Sequence, residues 1–256
     1  MKAKLAKKEV LWGASVTRVP AAPIVELYGM IGLDFVWIDM EHSDFSFRDL
    51  SDLTCAARSV GISPLVRIAE NDPKLIMKSL ECGADGLVIP DVRNAQEAGK
   101  IVQAAKFFPL GTRGLAGSDI KCRYGLTDLK TYMAENNNQT LLVPQIEHKD
   151  AVQEAEKIVS VDGIDLLFVG RMDLSQSLGQ PGQMNHPLVS EATIKVATVC
   201  KNQGKGFALA VGSPEDAKKA ISLGARFLVI ASEMSLIRTR LQEVFAKYRE
   251  LSGSEL

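Results

Sequence analysis

Residues 141–179 read LLVPQIEHKDAVQEAEKIVSVDGIDLLFVGRMDLSQSLG and contain two short apolar runs, 141–146 and 164–169. Both runs are rich in branched side chains, a pattern typical of strands that are buried on both faces of a parallel sheet. Between them, residues 149–161 carry apolar side chains at helical intervals, namely Val152, Ala155, Ile158 and Val159. The stretch therefore predicts a strand–helix–strand unit of an α/β fold.

Similar apolar runs recur along the whole chain, separated by amphipathic segments. We predict strands at 10–16, 35–39, 64–68, 86–90, 141–146, 164–169, 206–211 and 226–231. Eight strands that alternate with helices over 256 residues predict a (β/α)₈ TIM barrel, which we expect to be a single domain spanning 1–256. A doubly wound sheet is the alternative, but no predicted strand is followed by the glycine-rich turn of a dinucleotide site.

Composition narrows the class of protein. Thirty basic and 31 acidic residues give a formal net charge of −1, which argues against a nucleic-acid-binding surface. The four cysteines are scattered, as expected for reduced thiols. No segment resembles a signal peptide, and none approaches the roughly 20 apolar residues of a membrane helix. These features predict a cytoplasmic protein without a membrane partner.

Two acidic residues follow the strands of the opening stretch. Glu147 comes directly after residues 141–146, and Asp173 lies just past residues 164–169. Ligands of parallel α/β folds bind beyond the carboxyl ends of the strands, where these two carboxylates would share one mouth. Carboxylates are hard oxygen ligands that suit Mg²⁺ or Mn²⁺. The pair therefore predicts a divalent-metal site.

Other polar residues are expected at the same mouth. His42 ends the segment Asp39-Met40-Glu41-His42, where a nearby carboxylate could orient its ring for acid–base catalysis. Arg67 lies near the end of an apolar strand, where it needs an anionic partner, either a structural carboxylate or a bound substrate. Gln145 precedes Glu147 by two residues and so shares its strand face.

Four other polar residues are not predicted to take part directly in catalysis. Asp91 and Glu233 also lie near strand ends and are read as general polar lining, whereas His148 and His186 are read as solvated. No lysine other than Lys149 stands at a strand end, so a Schiff base has no obvious nucleophile and carbonyl chemistry would rely on a metal.

Two longer segments also deserve interpretation. Residues 109–138 appear irregular, with interleaved glycines and arginines, and a loop of this length is expected near a functional site. The final helix, 234–251, carries one apolar stripe that would cover either its own barrel or that of a neighbour.

Several motifs, taken in order, resemble those of the HpcH/HpaI class II pyruvate aldolases. They are DFVWIDMEHSDFS, PLVRIAENDPKLIMKSLECGADGLVIPDV, GTRGLAG, PQIEHKDAV and FVGRMDLSQSLGQPG, and they extend over nearly the whole chain. The family includes the 2-keto-3-deoxy sugar acid aldolases and the 4-hydroxy-2-oxoheptanedioate aldolase. The resemblance implies a barrel that uses Mg²⁺, Mn²⁺ or Co²⁺. It also implies a homohexamer in which the last helix is exchanged between subunits.

The resemblance also implies roles for individual residues. Carried over to this sequence, Glu147 and Asp173 are the metal ligands and His42 is the catalytic base. Arg67 stabilises the enolate, and Gln145 contacts the substrate.

Two further positions follow from the resemblance, and two depart from it. Main-chain groups near Met172 would bind the substrate carboxylate. Glu81 would raise the basicity of His42, and it would do so across a subunit interface if the end of the Glu81 helix lies at that interface. The family usually has Gly-Pro where this chain has Gly170-Arg171, and an arginine there either binds a second carboxylate or alters the loop. The eighth strand ends in ASEMSLI, where the family tends to have Gly-Ser/Thr-Asp.

Taken together, the residues and the family resemblance predict that this protein is a metal-dependent lyase that cleaves a 4-hydroxy-2-oxo acid to pyruvate and an aldehyde. One alternative keeps the enolate chemistry but acts on an acyl-CoA thioester, or decarboxylates. Another is a binding protein for keto acids that lacks turnover.

Overall fold

The computed structural model describes residues 1–7 and 9–252 and confirms the predicted (β/α)₈ barrel. Eight parallel strands close in sequence order, with β8 pairing with β1. The strands are β1 Leu11–Val16, β2 Phe35–Asp39, β3 Ser63–Arg67, β4 Gly86–Ile89, β5 Leu141–Ile146, β6 Leu167–Val169, β7 Phe207–Ala210 and β8 Ala225–Ser232. The predicted domain span of 1–256 includes Lys8 and residues 253–256, which lie outside the described residues.

Helices form the outer layer of the barrel. They are α1 Lys2–Ala6, α2 Ala22–Met30, α3 Phe47–Ser59, α4 Pro73–Glu81, α5 Ala95–Ala105, α6 Leu129–Gln139, α7 Lys149–Val159, α8 Arg171–Ser177, α9 Pro187–Asn202, α10 Pro214–Ser222 and α11 Glu233–Ser252. None of the helices in the described ranges is long and apolar enough to cross a lipid bilayer.

The barrel interior holds its own apolar cluster, separate from the larger core between strands and helices. Phe35 and Phe227 stack across it with ring centroids 3.7 Å apart. Gly13 makes this possible, because a side chain there would collide with the Phe35 ring. At the amino-terminal end of the strands, Met1 and Leu5 pack against the same cluster, so α1 closes that end of the barrel.

The predicted strands match the observed ones closely, except that β6 is shorter than 164–169. Its first half leaves regular pairing because the Asp165 carboxylate accepts the Leu142 amide hydrogen bond at 2.9 Å. Ile164 and Leu166 nevertheless stay buried, as the apolar pattern requires.

The prediction that 109–138 is irregular was wrong in its second half, where α6 forms. Asp128 starts this helix by accepting the amides of Lys130 and Thr131. Of its eleven residues only Tyr132 and Asn136 are buried, so the helix shows no apolar stripe in the sequence.

Lys106 anchors the end of α6 from inside the protein. Its side chain is 2% exposed, and its Nζ donates to the carbonyls of Asn137 at 2.7 Å and Thr140 at 2.9 Å. Burial, aided by the neighbouring Lys2 ammonium, lowers the pKa of Lys106 to about 8. The helix end is therefore held by a lysine that loses its proton more readily in the folded state.

This arrangement predicts a pH-dependent stability. Between about pH 8 and pH 10.5 the unfolded chain binds a proton on Lys106 that the folded chain has lost, so the free energy of unfolding should rise with pH. Lys106→Met should remove on the order of 2 kcal/mol of that rise, measured by urea unfolding at both ends of the window. The exposed Lys100→Met is the matched control, and identical pH slopes for Lys106→Met and wild type would contradict the assignment.

Candidate active site

A cavity of about 290 Å³ opens at the carboxyl ends of the strands. Apolar and polar residues share its wall, which consists of Ser15, Thr17, Trp37, Asp39, Arg67, Gln145, Phe168, Val169, Gly170, Arg171, Met172, Asp173, Met184, Ala210 and Val229. Strands β1, β2, β3, β5, β6, β7 and β8 all contribute to this wall, as expected of an active site in a barrel.

A buried ion pair between two neighbouring strands forms one side of the cavity. Asp39 and Arg67 are register partners at the ends of β2 and β3. Their contact is bidentate, with Arg67 Nη2 2.5 Å from Asp39 Oδ2 and Nε 3.0 Å from Oδ1. The guanidinium also lies over the Trp37 ring, 5.5 Å from its centroid. Burial opposes the charge of Asp39, but the hydrogen bonds from Arg67 outweigh it and lower the pKa of that carboxyl.

Glu41 lies beside this pair and adds negative charge. Its Oε2 is 3.1 Å from Arg67 Nη1, yet this buried oxygen accepts no hydrogen bond from a described residue. Burial raises the pKa of Glu41, the Arg67 charge opposes that shift, and the nearby Asp39 and Asp173 reinforce it. The ionised form of Glu41 would therefore be stabilised by a positively charged partner.

His42 is not among the residues that line this cavity, and 59% of its side chain is exposed. Its main-chain nitrogen donates to Asp39 Oδ1 at 3.2 Å, but the Asp39 carboxylate is otherwise occupied by Arg67. The acid nearest to the imidazole is Glu41, whose Oε2 is 3.9 Å from His42 Nε2. The ring is therefore free to meet a ligand that enters the mouth.

Glu147 is held by donors on both of its oxygens. Oε1 accepts the Asp91 amide at 2.6 Å, and Oε2 accepts the side-chain amide of Gln145. Asp91 has a positive φ of 49°, a conformation that is rare outside glycine, and its carboxylate pairs with Arg93 Nε at 2.8 Å. The unusual backbone of Asp91 thus aims an N–H at Glu147, a role more specific than the general lining that the sequence suggested.

Asp173 comes from the first turn of α8 rather than from the end of a strand. Between it and Glu147 lies Gly170, where a Cβ would stand 2.9 Å from Glu147 Oε2 and 2.8 Å from Gln145 Nε2. Burial raises the pKa of Glu147 to about 7 despite these hydrogen bonds, and the charges of Glu41 and Asp173 add to the shift. The acids are close enough to repel one another.

The donor set fits a small divalent cation. Gly170 keeps open the space beside Glu147, and the buried Oε1 of Gln145 has no partner among the described residues. In the part of the chain that the structure describes, no three His, Cys, Asp or Glu side chains form a group that could hold a metal ion. Mg²⁺ commonly uses only one or two protein carboxylates and completes its octahedron with substrate and water, so Glu147 and Asp173 meet its usual requirement.

The remaining predicted residues lie at varying distances from this centre. Met172 lines the cavity and is exposed. Glu81 ends α4, and no hydrogen bond or ion pair in the described ranges joins it to His42. His148 and His186, read as merely solvated, instead cap the starts of α7 and α9 through their ring nitrogens.

Glu233 is not part of the cavity lining, which corrects its interpretation as a polar lining residue. It is buried and accepts hydrogen bonds from the main-chain nitrogens of Thr17 at 2.8 Å, Arg18 at 2.5 Å and Val19 at 3.1 Å. Its role is to tie the loop after β1 to the start of α11.

The sequence interpretation overlooked Asp39 as the partner of Arg67 and Glu41 as the third acid of the site. A signal for the ion pair was present, since both residues end neighbouring predicted strands, where parallel register brings equivalent positions together. Taken together, the site can bind a cation between carboxylates, hold an anionic oxygen near Arg67 and exchange a proton with His42.

Comparisons with known proteins point to one family. Residues 18–239 match the sequence profile of a family described as HpcH/HpaI aldolase/citrate lyase. The chain is 34% identical to a 2-dehydro-3,6-dideoxy-6-sulfogluconate aldolase from Pseudomonas putida, over 92% of this chain and 91% of that protein. It is 32% identical to a 2-keto-3-deoxy-L-rhamnonate aldolase from Salmonella gallinarum, over 95% and 89%. The crystal structure of an HpcH/HpaI aldolase from Desulfitobacterium hafniense superposes with a TM-score of 0.93 at 31% identity, covering 98% of this chain and 96% of that one.

Proposed function

The chain belongs to the HpcH/HpaI aldolase/citrate lyase family, and from this premise we propose that it cleaves a 4-hydroxy-2-oxo acid reversibly to pyruvate and an aldehyde. We further propose that it does so in the cytoplasm with Mg²⁺, Mn²⁺ or Co²⁺ as its cofactor. The observation that carries the proposal is that Asp173 and the Asp39–Arg67 pair line one cavity, while Glu147 hydrogen-bonds to the lining residue Gln145 and is close enough to Asp173 for their charges to interact. An oxo acid needs both a cation for its oxygens and a donor for the charge that develops on cleavage.

Glu147 and Asp173 would hold the metal. When bound, a divalent ion supplies Lewis-acid polarisation of the keto group of the substrate. The acids themselves are prepared for this task, because Asp91 and Gln145 fix the orientation of Glu147, and Gly170 leaves the space beside it open.

The cleavage step uses groups of the chain on the other side of the cavity. His42 would accept the proton of the C4 hydroxyl as the C3–C4 bond breaks, and the bonding electrons pass to C3 of the developing pyruvate enolate. Arg67 would stabilise the enolate oxygen through a guanidinium that Asp39 has already oriented. The enolate would then take up at C3 the proton that His42 accepted, which gives pyruvate, and the aldehyde leaves.

Three further contacts complete the proposal. Gln145 would bind the substrate through the side-chain oxygen that has no described partner, by accepting a hydrogen bond. Main-chain groups near Met172, at the start of α8, would bind the substrate carboxylate. Glu81 would act on the histidine of a neighbouring subunit, since its position at the end of α4 gives it no described bond to His42 of its own chain.

A proton-exchange assay tests the proposal without any knowledge of the aldehyde. Pyruvate is incubated with the enzyme in D₂O, and loss of its methyl proton signal is followed by NMR with Mg²⁺, Mn²⁺ or Co²⁺, and with a chelator. We expect metal-dependent exchange that the chelator abolishes. Exchange that continues undiminished without metal would reject the mechanism, and the absence of exchange with every metal would favour a binding protein.

The last helix supports a further part of the proposal, an oligomer in which α11 is exchanged between subunits. Its apolar side chains are exposed, namely Leu236, Ile237, Leu241, Phe245, Tyr248 and Leu251. Meanwhile a groove of about 500 Å³ runs outside β1 and β8, lined by Trp12, Ile230 and residues of α10 such as Ala217 and Ile221. A helix from a second copy would bury both surfaces, and the family resemblance suggests a homohexamer.

This arrangement predicts that a charge on the apolar stripe of α11 weakens the oligomer. Leu241→Glu removes an apolar contact worth about 1.5–3 kcal/mol and adds a charge that the groove cannot pair, so the mass measured by light scattering after gel filtration should fall at micromolar concentration. Gln242→Glu introduces the same charge at an exposed position next to it and should leave the mass unchanged. A wild-type monomer would contradict the exchange outright.

A further inference from the structure

One charged residue in the cavity wall has no part in the proposed chemistry. Among the lining residues in the described ranges, Asp39, Arg67 and Asp173 have roles in that chemistry, whereas Arg171 does not. Arg171 lies across the mouth from Arg67, at the start of α8 and beside the end of β7. Its immediate neighbours in the wall are apolar, with Met184 and Ala210 among them.

The guanidinium of Arg171 is held by three hydrogen bonds to Asp216 and the main chain. Nη1 donates to Asp216 Oδ1 at 3.1 Å, and Nη2 donates to Asp216 Oδ2 and to the Ala210 carbonyl, each at 2.6 Å. Only 13% of the Arg171 side chain is exposed. This fork geometry is the strong form of an arginine–carboxylate contact, and it leaves the terminal nitrogens few hydrogens for a ligand.

Asp216 is itself held firmly in place. Its Oδ2 accepts the Gly212 amide at 3.1 Å, and its own amide donates to Ser213 Oγ at 3.1 Å as part of the cap of α10. Burial opposes the charge on Asp216, but the hydrogen bonds from Arg171 and Gly212 outweigh it, so the pKa of this carboxyl is lowered. The carboxylate therefore stays ionised and cancels the positive charge of Arg171.

We propose that the Arg171–Asp216 pair determines the class of aldehyde, by presenting a wall without net charge that accepts uncharged aldehydes and disfavours those with a second acid group. This inference rests on the proposed function. An anionic group that paired with the guanidinium in the same bidentate way would have to displace Asp216, which would leave a half-buried carboxylate without its partner. Met184 and Ala210 offer such a group no alternative donor from their side chains.

A matched pair of aldehydes tests the proposal. Succinate semialdehyde and its methyl ester have similar size and differ by one negative charge, and each is condensed with pyruvate to give a ratio of kcat/KM values. The wild type should favour the ester. Asp216→Asn keeps the side-chain shape but exposes the charge of Arg171, so the ratio should move toward the acid by about tenfold. Arg171→Gln leaves Asp216 uncompensated and should move the ratio the opposite way.

The opposite signs separate selectivity from a structural role, because a variant that only loosens the fold would lower both rates and leave the ratio unchanged. Pyruvate proton exchange is measured in parallel and reports on the proposed function alone. Enzyme that exchanges protons but condenses with neither aldehyde, or that gives one ratio for all three proteins, would overturn the proposal. Loss of exchange in the wild type would instead refute the function on which it rests.

Discussion

Glu147→Gln should abolish metal-dependent pyruvate exchange while leaving the metal-free protein at least as stable as the wild type. The amide is close in shape to the carboxylate but carries no charge for a cation, and loss of several kcal/mol of Lewis-acid stabilisation corresponds to a fall in rate of about 10³-fold or more. Asp173→Asn should behave similarly, since we propose both acids as ligands of one metal ion and the charge of Asp173 acts on Glu147. Mn²⁺ affinity, measured by calorimetry, should fall together with the rate.

Stability of the metal-free variant distinguishes a ligand from a structural acid. Burial and two like charges raise the pKa of Glu147, so its ionised form destabilises the metal-free fold. Glutamine removes that charge and its destabilising effect. Glu156→Gln makes the same chemical change on the exposed face of α7 and serves as the control. A Glu147→Gln protein that binds Mn²⁺ as tightly as the wild type would show that the metal is held elsewhere.

The barrel could be predicted from the sequence because each strand coincides with a short apolar run, and strands of a parallel sheet that is covered on both faces need apolar residues on both faces. Helix α6 was not predicted, because its own side chains form no apolar stripe. Its start depends on the cap at Asp128, and its end is held by the buried Lys106. Contacts from outside a segment cannot be read from the composition of that segment.

Some features of the site could likewise be predicted from the sequence, and others could not. The proximity of Glu147 and Asp173 could be predicted from chain position, because strand ends converge on one mouth. The hydrogen bond from Asp91 to Glu147 could not, because it depends on a left-handed backbone that an aspartate seldom adopts. The pairing of Arg171 with Asp216 could not be predicted either, since the two residues are 45 positions apart in the chain.

Arg67→Lys should lower the rate of pyruvate exchange by about 10²–10³-fold with little change in Mn²⁺ affinity. The lysine keeps a positive charge but loses the planar fork through which Asp39 orients it, and removal of one oriented donor to a developing oxyanion typically has an effect of this size. Since we propose that Arg67 stabilises the enolate and does not bind the metal, the substitution should lower kcat. A parallel loss of metal affinity would point instead to collapse of the whole mouth.

A double variant decides whether Arg67 is catalytic or only the structural partner of Asp39. Arg67→Met alone leaves Asp39 buried without its counter-charge and should lower the free energy of unfolding by about 3–5 kcal/mol. Adding Asp39→Asn removes the stranded charge and should restore much of that stability. Activity, however, should stay low in the double variant, because the enolate oxygen still lacks its donor. If stability and exchange recover together, the ion pair only maintains the fold, and another group must stabilise the enolate.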